Sequence, residues 1–319
     1  QRQMCIRDSF RIGGIKLTLD GSPQGKTAWL TEPYYQPPHG KDDDYAGYGV
    51  VKDDKVVEVY TKALENGWQT LTHANGDRAI DQMIMGWEKA EAAVPDVDVR
   101  PVLIHGQTLR KDQVAELKTL GILPSLFPMH TFYWGDWHRD SVLGPERAEN
   151  ISPTGWVREA GMRFTTHHDA PVALPNAMRV LDATVNRTTR SGKVLGEAQK
   201  VSVMTALKAM TIWSAYQHFE EASKGSIEVG KLADFVVLSE NPLEVEPQTL
   251  HSLTVLETIK GGESIYRRSE DGAAAVQAPP LGVSMAQAQW PASHGHYGAD
   301  GCFGPALEHI FHALNGTEH

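Results

Sequence analysis

The sequence predicts an α/β fold of parallel strands that alternate with helices. Three short, apolar, β-prone runs each lead to a side chain that can bind a metal; the runs are Trp68–Thr72, Val99–Ile104 and Arg163–Thr166. The side chains belong to His73, His105 and Asp169, which are 32 and then 64 residues apart. One strand with its returning helix occupies about thirty residues. The chain of 319 residues has room for one large barrel domain or two ordinary domains.

The regular spacing puts His73, His105 and Asp169 at equivalent strand ends. One further strand, which ends in no candidate ligand, lies between the second and the third. In a parallel α/β barrel those ends converge on one face, where catalytic groups gather. Neutral imidazole and carboxylate groups bind divalent metals at about 2.0–2.2 Å. A single histidine could equally be a packed or loop-bonding side chain, so the shared register of the three residues is what favours a metal site.

Apolar spacing and turn residues define the first elements. Phe10–Leu19 has the composition of a strand. Helical spacing after Asp54, which can cap a helix, predicts a helix that ends at Gly67. Asp77 can cap a second helix, and a third ends at Gly121. The first two predicted helices are each followed by one of the β-prone runs, which gives the β–α alternation.

The alternation continues with a predicted strand at Ile122–Phe127 and then breaks. Pro128–Ile151 is a long connection rich in aromatic residues and histidine. Long βα connections commonly shape substrate pockets, so this one favours an apolar or aromatic substrate group. Its tryptophans could equally pack against neighbouring helices. Ser152 with Pro153 predicts a helix start, and Gly161 predicts its end.

The pattern changes from helical to β after a helix that Ser202 can cap. Ala233–Leu238 is a hydrophobic run that predicts a strand. Thr254–Lys260 and Glu263–Arg267 flank a Gly-Gly pair at 261–262, which is a hairpin signature. This β portion lies outside the strand–helix repeat and predicts a second, smaller domain. Beyond it, Ala, Gly and Pro predict a linker over 269–289, and 305–314 has the composition of a terminal helix.

Composition excludes several classes of protein. A hydrophobic content of 41% and a charged content of 22% are typical of a soluble globular enzyme. The net charge of −10 argues against a nucleic-acid partner. The sequence has no uninterrupted apolar run of about 18 residues, so no transmembrane helix is predicted. Two cysteines, Cys5 and Cys302, cannot form a disulfide framework.

The start of the chain has no signal-peptide pattern, because Gln1–Ser9 lacks an apolar core. Strand-like sequence then begins abruptly at Phe10. We expect a missing N-terminal portion. The sequence therefore does not decide between a cytoplasmic and a periplasmic location.

Lys16 stands inside a predicted strand, where a buried lysine without a partner is costly. It either reaches solvent from the strand end or reacts with carbon dioxide to form a carbamate, whose carboxylate can bridge two metal ions. His167 and His168 point to opposite faces of a strand, so at most one joins the pocket. The pair His294 and His296 resembles a metal motif but lies in the tail.

Five segments of the chain, in order, resemble the amidohydrolase superfamily. They are Gly14–Gly21 (GIKLTLDG), Thr72–Asp81 (THANGDRAID), Arg100–Gln107 (RPVLIHGQ), His168–Val172 (HDAPV) and Gly225–Leu238 (GSIEVGKLADFVVL). The branch indicated is amidohydrolase family 3, the YtcJ-like group, which includes N-substituted formamide deformylases. The last segment is the most specific, since it resembles the return from barrel to β-sandwich. The resemblance runs from about Phe10 to Arg267.

The resemblance implies a partial (β/α)8 TIM-type barrel with part of a β-sandwich domain. It also implies that a metal-activated water hydrolyses a carbon–nitrogen bond other than a peptide bond. The expected division of the chain is a leader at 1–9, a partial barrel at 10–222, a β-sandwich portion at 223–268, and a linker and tail at 269–319.

The resemblance also implies roles for single residues. His73 and His105 would bind one divalent ion, for which zinc is expected. Carbamylated Lys16 would bridge this ion to a second one. Asp169 would bind the second ion and act as the general base on the water. Two residues of the aromatic connection are candidates for substrate contact: His130 and Trp134.

The chain departs from the family pattern before Lys16, where no His-X-His pair is found. The leading sandwich strands and about three barrel strands also have no counterpart. We therefore expect two ligands of one metal to be missing, although a site of Lys16, His73 and His105 could survive. An incomplete barrel leaves sheet edges unpaired. We expect this chain by itself to be weakly active or inactive.

Three functions compete at this point. The first is a metal-dependent amidohydrolase that acts on small linear amides, with one or two ions in the intact enzyme. The second is a metal-free barrel remnant that serves as a structural or interaction module. The third is an esterase or lactonase on the same scaffold. The sequence leaves the metal, the substrate and the oligomeric state open.

Overall fold

A five-stranded parallel sheet is the central element of the structure, a computed structural model that describes residues 5–7, 10–11, 13–269 and 274–275. The strands follow one another in chain order across the sheet. They are β3 (Ile15–Thr18), β4 (Thr70–Ala74), β5 (Val102–His105), β6 (Leu123–Leu126) and β7 (Thr165–Thr166). The predicted α/β class and the parallel sheet are confirmed.

The register of the sheet brings the chemically important strand ends to one level. His73 pairs with Thr18 on one side and Ile104 on the other. His105 pairs with Ala74 and with Leu126. Because all five strands are parallel, the side chains at their carboxyl ends share one edge of the sheet.

Helices cover one face of this sheet. They are α1 (Asp53–Asn66), α2 (Asp77–Ala93), α3 (Lys111–Thr119) and α6 (Thr154–Glu159). Leu19, Leu103 and Phe164 from the sheet side pack with Tyr60 and Ile80 from the helices in the largest apolar cluster, and all five are fully buried. Each buried side chain of this size contributes about 1.5–3 kcal/mol. The sheet is therefore fixed to its helices from this side.

The opposite face of the sheet is open at one edge. Lys16 and Thr18 on β3 are exposed, and His73 on β4 is half-buried. Ser125 on β6 and Thr165 on β7 are buried. Exposure on this face therefore falls from β3 towards β7.

The predicted single strand at Phe10–Leu19 is wrong. The structure has a short antiparallel pair, β1 (Cys5–Arg7) and β2 (Phe10–Arg11), and then the separate strand β3. Gly14 explains the break, because its φ is +149° and a Cβ there would lie 2.3 Å from the carbonyl oxygen of Gln69. A glycine is needed at this close approach.

Two predicted helix caps are displaced by one or two positions. The N-cap of α1 is Lys52 and that of α2 is Gly76, so Asp54 and Asp77 lie inside the first turn instead. Carboxylates in a first turn still interact favourably with the helix dipole. The predicted cap of α8 (Val203–Met210) is confirmed, since Ser202 Oγ accepts a hydrogen bond from Thr205 N at 3.2 Å.

The long connection after β6 is largely helical. It contains α4 (Met129–Trp137), a π-helical turn (His138–Val142) and α5 (Gly144–Ala148). Two further helices had no sequence prediction: α7 (Ala177–Asn186) and α9 (Ile212–Gln217). A helix with apolar residues on all sides lacks the 3.6-residue stripe that identifies amphipathic helices, so α4 escaped prediction.

A separate antiparallel sheet has the order β11-β10-β9-β8. Its strands are β8 (Phe235–Leu238), β9 (Val255–Lys260), β10 (Glu263–Arg268) and β11 (Ala274–Ala275). The predicted hairpin is confirmed, with Gly261 and Gly262 at φ 60° and 87° in its turn. The predicted terminal helix, the His294–His296 motif and nearly all of the predicted linker lie outside the described residues. In the part that is described, no helix is both long enough and apolar enough to span a membrane.

Candidate functional site

The ends of β4 and β5 bring two predicted ligands together. The Nδ1 of His73 lies 3.0 Å from the Nε2 of His105, and the rings are nearly perpendicular. His105 has a φ of +74°, which redirects its side chain at the end of the strand. His105 is 3% exposed, whereas His73 is half-buried. The two facing nitrogens are the first pair of possible metal ligands in the site.

The second nitrogen of His105 contacts another histidine. Its Nδ1 lies 3.0 Å from the Nε2 of His167, whose own Nδ1 lies 3.1 Å from the Oγ of Ser125. His168 has a buried Nδ1 without a hydrogen-bond partner among the described residues. Only the first histidine of the 167–168 pair joins this cluster, as alternation predicts.

Asp169 lies at the same mouth. Its Oδ2 is 4.0 Å from the Nε2 of His105, and 41% of its side chain is exposed. A φ of +53° turns the backbone at Asp169 after the short strand β7. The structure therefore brings His73, His105 and Asp169 together, and the carboxylate is the most accessible of the three groups.

Lys16 lies across the sheet face from this cluster, on the edge strand β3. Its side chain is exposed, and the described residues offer it no hydrogen bond or ion pair. Partial desolvation lowers the pKa of Lys16, and the charge of Asp169 opposes this effect. The charge of Lys16 in turn contributes to the lowered pKa of His105. The amine is therefore electrostatically coupled to the site.

A buried carboxylate supports His73 from behind. The Nε2 of His73 lies 3.1 Å from the carbonyl oxygen of Gly21 and 3.4 Å from the Oδ1 of Asp20. The Nδ2 of Asn75 lies 3.1 Å from the same nitrogen and donates to Gly21 O at 2.9 Å. The sequence predicted no role for Asp20 or Asn75, although both lie in segments that resemble the family, Gly14–Gly21 and Thr72–Asp81. Their position at or just after a strand end was the available signal.

Burial keeps the imidazoles of His105 and His167 neutral. Desolvation holds the pKa of His105 well below its usual range, and neighbouring His167 and His73 lower it further. Desolvation also lowers the pKa of His167. A neutral imidazole has a free lone pair on one nitrogen, which is the form that binds metals.

The two candidate substrate residues lie in α4, next to the cluster. The ring of His130 is 4.2 Å from that of Phe127 and 6.5 Å from that of His105, centre to centre. Trp134 is half-buried and its ring lies 5.9 Å from His130. The Nδ1 of His130 is buried, and the described residues offer it no partner. A buried polar atom of this kind calls for a water or a ligand.

Two residues of this region escaped sequence reasoning. Gln107 follows β5, and its Nε2 lies 2.8 Å from the Nε2 of His138, the first residue after α4. Both side chains are fully buried. The pair links the segment after β5 to the end of the aromatic helix, and the ring of His138 lies 6.1 Å from that of His130, centre to centre.

The facing nitrogens of His73 and His105 fit two ligands of one ion. Two ligands at about 2.1 Å from an ion are about 3.4 Å apart at a tetrahedral angle and about 3.0 Å apart at a right angle, so the observed 3.0 Å suits a ligand–ion–ligand angle below the tetrahedral value. The carboxylate of Asp169 is about an ångström farther than that, and its exposure leaves it free to rotate. In the described ranges, no group of three or more His, Cys, Asp or Glu side chains is already arranged to hold an ion. The arrangement thus supplies two nitrogens and one carboxylate within reach.

Comparison with known proteins identifies the family. The amidohydrolase family profile matches residues 3–266. This chain belongs to the amidohydrolase family. The resemblance found in the sequence motifs is thereby confirmed.

Curated relatives agree with this membership. The chain is 28% identical over 261 residues to the Bacillus subtilis (strain 168) protein YtcJ, which carries the name of an amidohydrolase; the match covers 81% of this chain and 48% of YtcJ. It is 26% identical over 265 residues to the N-substituted formamide deformylase of Arthrobacter pascens, covering 82% and 46%. This family member thus spans about half the length of these relatives.

Solved structures give the same picture. An uncharacterized metal-dependent hydrolase from Pyrococcus horikoshii OT3 is 26% identical with a TM-score of 0.64, over 74% of this chain and 46% of that one. A second one from Pyrococcus furiosus is 29% identical with a TM-score of 0.61, over 73% and 46%. The fold of this amidohydrolase family member is therefore shared with metal-dependent hydrolases.

Proposed function

We propose that this chain is part of a metal-dependent amidohydrolase that cleaves a non-peptide carbon–nitrogen bond in small linear amides. One observation carries the proposal: at the ends of adjacent parallel strands, His73 Nδ1 and His105 Nε2 face each other at 3.0 Å, with Asp169 at the same mouth. Family membership and the names of the similar proteins support a hydrolase that uses a divalent metal.

Three side chains would hold the metal. His73 offers Nδ1, His105 offers Nε2 and Asp169 offers a carboxylate. When bound, a divalent ion, for which we propose zinc, lowers the pKa of a water and polarises a substrate carbonyl. Lys16 is the candidate for a carbamylated bridging ligand. Its lowered pKa supports this role, because the neutral amine is the form that reacts with carbon dioxide.

Asp169 is the group that moves protons in this proposal. Its partly exposed carboxylate can accept a proton from the attacking water and then deliver it to the departing amine nitrogen. His105 is 3% exposed and its pKa is well below the usual range, so it stays neutral and does not compete for that proton. The exposed carboxylate and the buried imidazole thus take different tasks.

The aromatic helix α4 would bind the substrate. His130 has a buried nitrogen that lacks a partner among the described residues, and Trp134 stands 5.9 Å away, ring centre to ring centre. A polar nitrogen beside aromatic faces suits an amide that carries an apolar substituent. This is the basis on which we propose His130 and Trp134 as substrate contacts.

We further propose that the parallel sheet is part of a (β/α)8 barrel and the antiparallel sheet part of a β-sandwich. The parallel strands stand in chain order, as in a barrel wall, and β3 and β7 are the outer strands of the described sheet. The face that a barrel would enclose is exposed at β3, where Lys16 and Thr18 lie. Closing the barrel would bury that face, so we propose that catalysis by this chain alone is impaired.

The proposal is tested by metal analysis of the purified chain. We expect bound divalent metal that is lost in His73→Ala and in His105→Ala but kept in His39→Ala, an exposed control. Absence of metal, or equal metal in all four proteins, contradicts the proposal and leaves a structural module as the better description.

A substrate panel separates the hydrolase alternatives. We expect metal-dependent turnover of linear amides that exceeds turnover of esters and lactones of matched size. A preference for esters or lactones with the same metal requirement would replace the amidohydrolase by an esterase or lactonase.

A further inference from the structure

Three imidazoles form a continuous chain through the site. His73 Nδ1 contacts His105 Nε2 at 3.0 Å, and His105 Nδ1 contacts His167 Nε2 at 3.0 Å. The far nitrogen of His167 ends on Ser125 Oγ at 3.1 Å. These residues come from four different strand ends or strands, so the chain is a tertiary feature of the sheet. It uses both nitrogens of His105 and both nitrogens of His167.

Counting hydrogens limits what this chain can do. A neutral imidazole carries one N–H, so each ring donates at one nitrogen and accepts at the other. If the hydrogen of His105 is on Nε2, it points at His73 Nδ1 and occupies the space where an ion would bind. If that hydrogen is on Nδ1, it is donated to His167, and the lone pair on Nε2 faces His73. Only the second tautomer of His105 leaves its metal-binding nitrogen free.

Ser125 completes, through His167, the hydrogen-bond chain that the second tautomer needs. To accept from His105, His167 must have its lone pair on Nε2 and its hydrogen on Nδ1. That hydrogen needs an acceptor, and the hydroxyl oxygen of Ser125 is within 3.1 Å. The side chain of Ser125 is buried, which makes an unpaired N–H beside it costly. The hydroxyl can donate or accept, and as an acceptor for this hydrogen it completes the arrangement in which His105 Nε2 is free to bind an ion.

We propose that His167 and Ser125 are positioning residues that hold His105 in the Nδ1–H tautomer and present its Nε2 lone pair to the metal. The inference rests on the metal site under the proposed function and adds two residues to it. On the other side of the site, the carbonyl oxygen of Gly21 lies 3.1 Å from His73 Nε2 and is the acceptor for its hydrogen when Nδ1 binds the ion. Both ligands are thus oriented through the nitrogen that does not face the ion, which is how outer partners orient metal-binding histidines in general.

Metal affinity provides the first test. The affinity for Zn²⁺ or Co²⁺ is measured by competition with a chromophoric chelator in the wild type and in His167→Phe, His167→Gln, Ser125→Ala and His168→Phe. We expect His167→Phe, which removes the acceptor, to weaken binding by about 10–100-fold. His167→Gln keeps an acceptor oxygen and should recover part of the affinity. Ser125→Ala should weaken binding less, and the control His168→Phe should change it little.

The tautomer itself provides a readout that needs no metal. In metal-free protein with ¹⁵N-labelled histidine, the side-chain nitrogens of His105 should report hydrogen on Nδ1, with Nε2 accepting a hydrogen bond from Nδ1–H of His73. In Ser125→Ala, and in His167→Phe, a larger share should carry hydrogen on Nε2. Ser125→Ala is a small change, so it keeps the test usable should the histidine variant not fold.

The outcomes separate this inference from the function on which it rests. If the wild type binds no metal, or binds it equally in His73→Ala, the proposed function fails. If the wild type binds metal through His73 but His167→Phe and Ser125→Ala bind it equally well with an unchanged His105 tautomer, the positioning role is overturned. An equal loss of affinity in His168→Phe also overturns it.

Discussion

The Oδ1 of Asp20 lies 3.4 Å from the Nε2 of His73, and the same carboxylate binds two backbone segments near the site. Its two oxygens accept hydrogen bonds from the N–H groups of Trp29, Asn75 and Gly76 at 2.9, 3.0 and 2.7 Å. The side chain is fully buried. Asp20 therefore fixes the turn after β4 that carries His73, and it does so from the end of the neighbouring strand.

Replacing this carboxylate by an amide should destabilise the protein. In Asp20→Asn, one of the two acceptor oxygens becomes an NH2 group that faces backbone donors. Each buried donor left unpaired costs about 1–3 kcal/mol. We expect the free energy of unfolding in urea to fall by at least about 1–3 kcal/mol.

A matched control for this variant is Asp42→Asn in the exposed acidic run of the first loop. This substitution has the same chemistry, and we expect it to change the free energy of unfolding by less than about 0.5 kcal/mol. Equal unfolding of the wild type and Asp20→Asn would show that the carboxylate does not hold the turn.

The strand ends were predictable from sequence because hydrophobic runs and their spacing encode them directly. His73 and His105 stand at the ends of β4 and β5, as the thirty-residue spacing predicts. The hairpin at Gly261 and Gly262 was predictable because two residues with positive φ demand glycine. Local sequence patterns thus predicted which residues stand at the strand ends of the site and where the hairpin of the second sheet lies.

The outer partners of the histidines were not predictable in this way. Ser125 and Asp20 reach His167 and His73 only when the strands lie side by side, and no short-range pattern records such a contact. Gly14 interrupts the predicted strand because of a close approach to the backbone of Gln69, which is also a tertiary contact. Non-local contacts of this kind define the support around the site and need the fold itself.

Buried His138 should make stability depend on pH. Burial lowers its pKa to about 3, against about 6.5 in the unfolded chain. Between these values the unfolded chain binds a proton at this residue and the folded chain does not. Stability is therefore lost as the pH falls from about 6.5 towards 3, by up to about 1.4 kcal/mol per pH unit for this group.

The variant His138→Gln removes the imidazole that binds this proton in the unfolded chain. It should be less stable than the wild type at pH 7, because the buried ring and its contact with Gln107 are lost. The difference in unfolding free energy should then shrink by about 2 kcal/mol when the pH is lowered to 4.5. Urea unfolding of both proteins at several pH values measures this difference in unfolding free energy. A constant difference across this range, or the same narrowing in the exposed control His39→Gln, would contradict the assignment.

Arg187 should be among the most costly residues to remove. It is fully buried and donates to the carbonyl oxygens of Ile151, Ser152 and Leu195 at 2.5, 3.1 and 2.9 Å. Arg187→Met keeps an unbranched apolar stem, but three carbonyls lose their donor. We expect a loss of at least about 3 kcal/mol in unfolding free energy.

The control for Arg187 is Arg190→Met, which changes an exposed arginine only three residues farther along the chain. We expect it to alter thermal and urea unfolding little. If the two methionine variants unfold alike, the hydrogen bonds of Arg187 do not stabilise the connection between residues 151 and 195.

Carbamylation of Lys16 gives the last prediction. Partial desolvation lowers the pKa of this lysine, so a larger share of its side chain is neutral amine at pH 8 than for an ordinary lysine. The amine reacts with carbon dioxide, whereas the ammonium does not. With ¹³C-bicarbonate and zinc present, we expect a carbamate carbon signal in the NMR spectrum that grows as the pH rises from 7 to 9.

The signal should vanish in Lys16→Arg, which keeps the charge but cannot form the carbamate. It should persist in Lys55→Arg, which replaces an exposed lysine paired with Glu58. A signal of equal size in Lys16→Arg would rule out Lys16 as the carbamylated residue and leave His73, His105 and Asp169 as the metal ligands of this face.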